Sequence, residues 1–236
     1  MRKRRVCSRP RVSPLGRISQ VRLSDVRALL LELFKQWGMP LAIRTDNGEP
    51  FGVPTRDVIP IMSLWLVAWG ITPILNRPRR PQDNAKVESN QGTASRWAEV
   101  YRCQSLEQMQ ESLDDACTLQ RDLFPVKRIG KASRSDVFKD LYTVARPFQE
   151  AVFDEQKAYR LLAQATYPRK VSSVGTTAIY NKPFQVGAAH KGKTVFVKFD
   201  PNNIAWIILD QHNNLIKTIP DPRFSGENLL NLTVCQ

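Results

Sequence analysis

The feature that most constrains the fold is a change of pattern part-way along the chain. Up to about residue 150, apolar stripes of helical period alternate with short apolar runs. Beyond residue 167, short β-prone runs follow one another, separated by Gly, Asn and Pro. The first pattern implies helices packed on a sheet. The second implies a small all-β unit.

Within the first part, Ser24 reads as a helix N-cap. Val26, Leu29, Leu30, Leu33, Phe34 and Trp37 then form one apolar stripe, closed by Gly38 and Pro40. Residues 41–44 read as a buried strand, with Asp46-Asn47-Gly48 turning at its carboxyl end. Residues 57–69 are apolar on most faces and read as a buried helix with Pro60 in its first turn. Residues 71–75 read as a second strand. Helix, strand, helix, strand indicates α/β architecture with parallel pairing. After the basic loop 77–81, helices are expected over 84–101, 105–122 and 153–165. Strands are expected at 171–175, 177–180, 184–186, 194–199, 204–209 and 215–219, closing into a small antiparallel barrel with Trp206 in its core. The division is a basic arm or strand remnant at 1–22, a core with helical extension at 23–150 and a linker helix at 151–166. A barrel at 167–220 and a tail at 221–236 complete it.

Charge narrows the partner. Lys and Arg number 35 against 22 Asp and Glu, a net +13 with pI near 9.9. That balance favours a polyanion, most often nucleic acid. The first 22 residues carry eight basic side chains and no acidic one, as a phosphate-contacting arm would. Cys7, Cys103, Cys117 and Cys235 form no CxxC pair, and His190 and His212 make no ligand cluster with them. This argues against structural zinc and for reduced thiols in a cytoplasmic protein. The longest apolar stretch, 59–74, is interrupted by Pro60, Ser63, Gly70 and Pro73 and does not read as a membrane span.

Two carboxylates stand out by position. Asp46 ends a strand, where α/β sheets gather functional groups. Glu88 lies early on the 84–101 helix, on a polar face with Asn84, Gln91 and Ser95. Val87, Ala94, Trp97, Ala98 and Tyr101 form its apolar face, so Glu88 is expected on a docked helix. Carboxylates from separate elements suit Mg²⁺ or Mn²⁺, hard ions that take oxygen ligands and hold phosphate oxygens. Taken singly, an Asp-Asn-Gly turn and a Glu on a helix are ordinary solvated features.

The surrounding words add specificity. Gly38-Met39-Pro40, Ile43-Arg44-Thr45-Asp46-Asn47-Gly48, Phe51, Trp69-Gly70-Ile71, Pro81-Gln82-Asp83-Asn84-Ala85-Lys86-Val87-Glu88 and Trp97 come in that order. Over residues 22–142 the chain resembles the catalytic core of DDE transposases and retroviral-type integrases. Arg169-Lys170-Val171, Gly175, Tyr180, Val186-Gly187, Gly192-Lys193 and residues 195–200 resemble the C-terminal barrel of bacterial insertion-sequence transposases. The resemblance implies an RNase H-like core lacking its first strands, then a helical linker and a small SH3-like barrel. It implies metal-dependent cleavage of DNA ends followed by strand transfer, with Mg²⁺ or Mn²⁺ as cofactor. Asp46 and Glu88 become the second and third acidic residues of the triad, as catalytic and metal-binding groups. DNA contacts fall to Arg77, Arg79, Arg80, Asn84, Lys86, Gln91, Arg169 and Lys170, with Lys182, Lys191, Lys193 and Lys198 as further backbone contacts. A homo-oligomer assembled on DNA and a cytoplasmic, nucleoid-associated location follow from the same resemblance.

The chain departs from the pattern in three places. Before Asp46 the acidic residues are Asp25 and Glu32, both in the first expected helix, so the family's first Asp has no counterpart. The interval from Asp46 to Glu88 is longer than is usual for integrase-type cores. The customary Gly and Arg of the Glu-bearing helix are Ala85 and Ser89. With two carboxylates the expectation is a truncated, catalytically impaired copy. The alternatives are a DNA-binding remnant that modulates an intact transposase, and a metal-dependent nuclease on the same fold.

Overall fold

The computed structural model describes residues 22–48, 51–52, 57–77 and 80–233. Of the expected arm at 1–22, Arg22 alone lies among them. The chain is mixed α/β. In order it forms α1 (Leu23–Trp37), β1 (Ala42–Thr45), α2 (Ile61–Ala68), β2 (Thr72–Leu75), α3 (Ala85–Trp97), α4 (Leu106–Thr118), α5 (Arg134–Val137) and α6 (Glu155–Gln164). Strands β3 (Thr166–Lys170), β4 (Thr176–Ile179), β5 (Lys182–Gln185), β6 (Thr194–Asp200), β7 (Ala205–Leu209) and β8 (Leu215–Pro220) follow, then α7 (Gly226–Asn231). Among the described residues no helix is long and apolar enough to cross a membrane.

Local chemistry sets the boundaries. Helix α1 starts at Leu23, one residue before the expected cap, because the Asp25 carboxylate accepts the Arg22 N–H at 3.3 Å. Helix α2 starts at Ile61 rather than near 57. Pro60 holds an extended φ/ψ of −60°/140° at its N-cap, and a residue preceding proline is kept out of the helical region. Helix α4 begins where Ser105 Oγ accepts the Gln108 N–H. It stops at Thr118 and gives way to a π-helical turn, Leu119–Leu123.

The described residues divide into two compact units. One contains 28–39 and 80–148. Its helices α3 and α4 meet through Ala94, Trp97, Ala98, Val100, Met109, Leu113 and Ala116. The Arg121 guanidinium, carried on the π turn, lies over Trp37 and Tyr142, and Tyr142 donates to Asp122 Oδ1 at 2.5 Å. Gly38, at φ 78°, lets the chain pass under the 144–146 segment, where Met39 N–H donates to Arg146 O at 2.7 Å. A Cβ there would stand 2.6 Å from Arg146 O and 2.7 Å from Val144 Cγ1. Gly38→Ala is expected to cost at least 1–2 kcal/mol, since steric overlap adds to a left-handed backbone, and urea titration reads it directly.

The other unit contains 22–27, 40–77 and 149–233. Strands β1 and β2 pair in parallel, as the alternation predicts, with Thr45 opposite Leu75. Helix α2 is buried on nearly every side and packs on α6 and α7. Trp69 meets Phe153 edge-on at 5.1 Å, and Asp154 N–H donates to Ala68 O. Strands β3, β6, β7 and β8 form an antiparallel sheet in the order β3-β6-β7-β8, and β4-β5 form a separate hairpin. The expected barrel is therefore corrected: among the described residues the ladders do not close. The expected strand 171–175 is also replaced. Ser172 Oγ accepts the Thr176 N–H and Gly175 takes φ 81°, which makes a turn there. The strand lies just before it, at 166–170, where Pro168 is tolerated because β3 is an edge strand.

The core of this unit is aromatic. Trp206 is fully buried, with Tyr167, Tyr180, Phe199 and Phe224 at centroid distances of 5.1–6.0 Å. The expected core role of Trp206 is what the structure shows. Beside it Asp221, 0% exposed, accepts from Trp206 Nε1 at 2.9 Å, from Arg223 Nε and Nη2 at 2.9 and 2.8 Å, and from Lys182 Nζ at 3.3 Å.

Candidate functional site

Asp46 is the first residue past β1, and it is exposed. The parallel ladder fixes its level: Asn76 N–H donates to Thr45 O at 3.0 Å, which brings Asn76 to the same end of the strand pair. Asn76 is 7% exposed, a buried amide at the strand end that Asp46 follows on β1. The sequence reading missed it. The available signal was a polar residue ending the second strand at the register where Asp46 ends the first. Next to Asp46, Asn47 Oδ1 is buried and, among the described residues, has no hydrogen-bond partner. Gly48 closes the turn beneath Asp46, where an added Cβ would stand 3.7 Å from Asp46 Oδ1. Its carbonyl accepts the N–H groups of Phe51 and Gly52 at 2.9 and 3.1 Å. Arg44 and Arg77 add exposed positive charge to this end of the pair.

Glu88 belongs to the first turn of α3, in the other unit, and is exposed. Asn84 occupies the N-cap position, and its carbonyl accepts the N–H groups of Val87 and Glu88 at 2.8 and 3.1 Å. Gln91 is exposed one turn on, and Arg80 is exposed ahead of the 3₁₀ turn Pro81–Asp83. Lys86 lies in the same first turn as Glu88, and Arg79 lies outside the described residues. The expected docking of this helix is true only of its C-terminal half. Ala94, Trp97 and Ala98 pack on α4, whereas Val87 is 54% and Tyr101 74% exposed. Helix α3 ends at Trp97 and Glu99 turns left-handed at φ 45°, so Tyr101 leaves the helical face altogether.

The basic residues of the C-terminal sheet separate into two groups. Arg169 is engaged internally. Its guanidinium forms a bidentate pair with Asp57 and donates to Ala178 O at 3.0 Å and Pro168 O at 2.9 Å, with a side chain 15% exposed. Lys182 is paired with buried Asp221. Lys170 and Lys191 are exposed and line an open cleft of about 570 Å³ with Val171, Ser172, Ser173 and Gly192. Lys193 adjoins it, exposed, and its carbonyl accepts the Val171 N–H.

As donors, the Asp46 carboxylate and the amide oxygen of Asn47 are hard oxygens of the type Mg²⁺ and Mn²⁺ take. Among the described residues no three His, Cys, Asp or Glu side chains gather as a metal-ligand group. No protein-family model matches the chain.

Proposed function

We propose that this chain is a DDE-type transposase or integrase polypeptide that binds DNA and acts on its phosphodiester backbone. In this reading the β1-α2-β2 segment belongs to an RNase H-like core and the C-terminal strands to an SH3-like module. The observation that carries the reading is Asp46 at the carboxyl end of a parallel strand, followed in family order by the word that opens α3 and presents Glu88. The exposed Arg80, Lys170, Lys191 and Lys193 supply phosphate contacts on each unit, and Arg44 and Arg77 add positive charge near Asp46. Arg169 is left out of that set because its donors are occupied.

Asp46, with Asn47 as a neighbouring oxygen donor, is the group that would hold Mg²⁺ or Mn²⁺. A bound ion supplies Lewis-acid polarisation of a phosphoryl oxygen and a lowered pKa for water. Asp46 itself contributes fixed negative charge on a strand end, and Glu88 contributes a second carboxylate from a helix. The homo-oligomer on DNA and the nucleoid location belong to the same proposal.

The test is plasmid nicking and oligonucleotide joining with Mn²⁺. Activity that falls at least about 100-fold in both Asp46→Asn and Glu88→Gln, with DNA affinity retained, supports the reading. Cutting without joining turns it into a nuclease. Salt-dependent binding without cutting turns it into a DNA-binding modulator. Binding should weaken linearly in log[salt], with a slope near −0.9 per phosphate neutralised, and Lys170→Ala with Lys191→Ala should reduce the slope by about 2. Binding indifferent to salt would count against every nucleic-acid reading.

A further inference from the structure

The unit that carries Asp46 also contains the C-terminal strands, and two side chains there, Arg169 on the four-stranded sheet and Tyr180 in the β4-β5 hairpin, reach the segment that follows Asp46. Arg169, on β3, forms its fork with Asp57, whose own side chain is 69% exposed and is held in place by that pair. Tyr180 donates its hydroxyl to Ile59 O at 2.6 Å. Tyr180 sits in a two-residue hairpin turn with Asn181, at φ 48° and 60°. A left-handed backbone is unfavourable for a bulky residue and persists where surrounding contacts fix it. Here those contacts are Trp206 and Phe224 against the ring and Arg223 Nη1 on the Tyr180 carbonyl at 3.1 Å.

Past Ile59 the contacts continue toward Asp46. A Cβ on Gly52, which has φ 156°, would stand 2.7 Å from Pro60 Cγ and 3.6 Å from Leu75 Cδ1, so Gly52 backbone lies directly on Pro60 and β2. Gly52 N–H and Phe51 N–H both donate to Gly48 O. Gly48 in turn lies beneath the Asp46 carboxylate. The run from Arg169 and Tyr180 through Asp57, Ile59, Pro60, Gly52 and Gly48 to Asp46 is contiguous.

We infer that Arg169 and Tyr180 are positioning residues for Asp46: the C-terminal sheet and the β4-β5 hairpin together hold the 57–60 segment, and that segment holds the turn that aims the carboxylate. The geometry stands by itself, and its catalytic meaning rests on the function proposed above. It assigns Arg169 a role that its place in a basic sheet does not suggest. A fork-shaped donor suits it, because two parallel bonds to one carboxylate fix an angle as well as a distance.

Amide hydrogen exchange on the full chain tests it. In Arg169→Leu and in Tyr180→Phe, exchange at Phe51 and Gly52 should accelerate roughly tenfold while Val197 and Ile208 in the central strands keep their rates. Arg169→Lys, which keeps the charge but not the fork, should restore the slow rates only in part. Unchanged rates at Phe51 and Gly52, or equal acceleration at Val197 and Ile208, would overturn the inference. Mn²⁺-dependent nicking measured on the same variants separates the two proposals. Local acceleration in a protein that never nicks DNA leaves the clamp standing and removes the catalytic reading.

Discussion

Asp221→Ala is expected to cost about 3–5 kcal/mol, because it removes the fully buried carboxylate with which both Arg223 and Lys182 are paired. The carboxylate is fully buried and accepts four hydrogen bonds. Burial pushes its pKa up, and the donors from Arg223 and Trp206 with the charges of Arg223 and Lys182 outweigh it, so the net shift is downward. The sign follows from that direction. A carboxylate with a depressed folded pKa contributes its stability in full above the unfolded value near 3.9 and loses it as pH falls through the folded value. The wild type should therefore lose stability below about pH 4 relative to Asp221→Asn, which has no proton to take up there. Urea midpoints measured from pH 3 to 7 check both statements. A flat difference between wild type and Asp221→Asn across that range would refute the account.

Trp206→Ala carries a comparable penalty for a different reason. It empties the centre of an aromatic cluster in which Tyr167, Tyr180, Phe199 and Phe224 all contact the indole, and a buried Trp→Ala change costs about 3–5 kcal/mol. Trp206→Phe keeps most of the volume but removes the Nε1–H donor from Asp221, and about 1–3 kcal/mol is expected. Because the two side chains touch, their effects will not add. A cycle of Asp221→Asn and Trp206→Phe should show a coupling of roughly 0.5–3 kcal/mol by denaturant titration. Additivity would mean that the bond between them contributes nothing.

Much of the architecture was legible wherever periodicity and punctuation agree. The stripe from Val26 to Trp37 became α1, and the two apolar runs around Asp46 and Ile71 became a parallel pair. Boundaries failed where one local bond outweighed pattern. Pro60 moved the start of α2, and the Ser172 hydroxyl with Gly175 turned an expected strand into a bend, shifting β3 onto 166–170. Barrel closure failed because short β-prone runs announce strands and say nothing about which ladders join. At the candidate site, the strand end bearing Asp46 was readable. Asn76 was not, since its significance comes from register across two strands. Nor was the internal engagement of Arg169, whose partner Asp57 lies more than a hundred residues earlier in the chain.

The same separation in sequence governs how the protein must be made. Helix α2 leaves the ribosome early, yet α6 and α7, the helices that pack on it, are translated much later. Until then α2, apolar on most faces, is exposed in the nascent chain, a stretch suited to chaperone capture and prone to aggregation. Expression at low temperature, where elongation and collapse are both slowed, should raise the yield of this protein more than that of one whose domains close in sequence order.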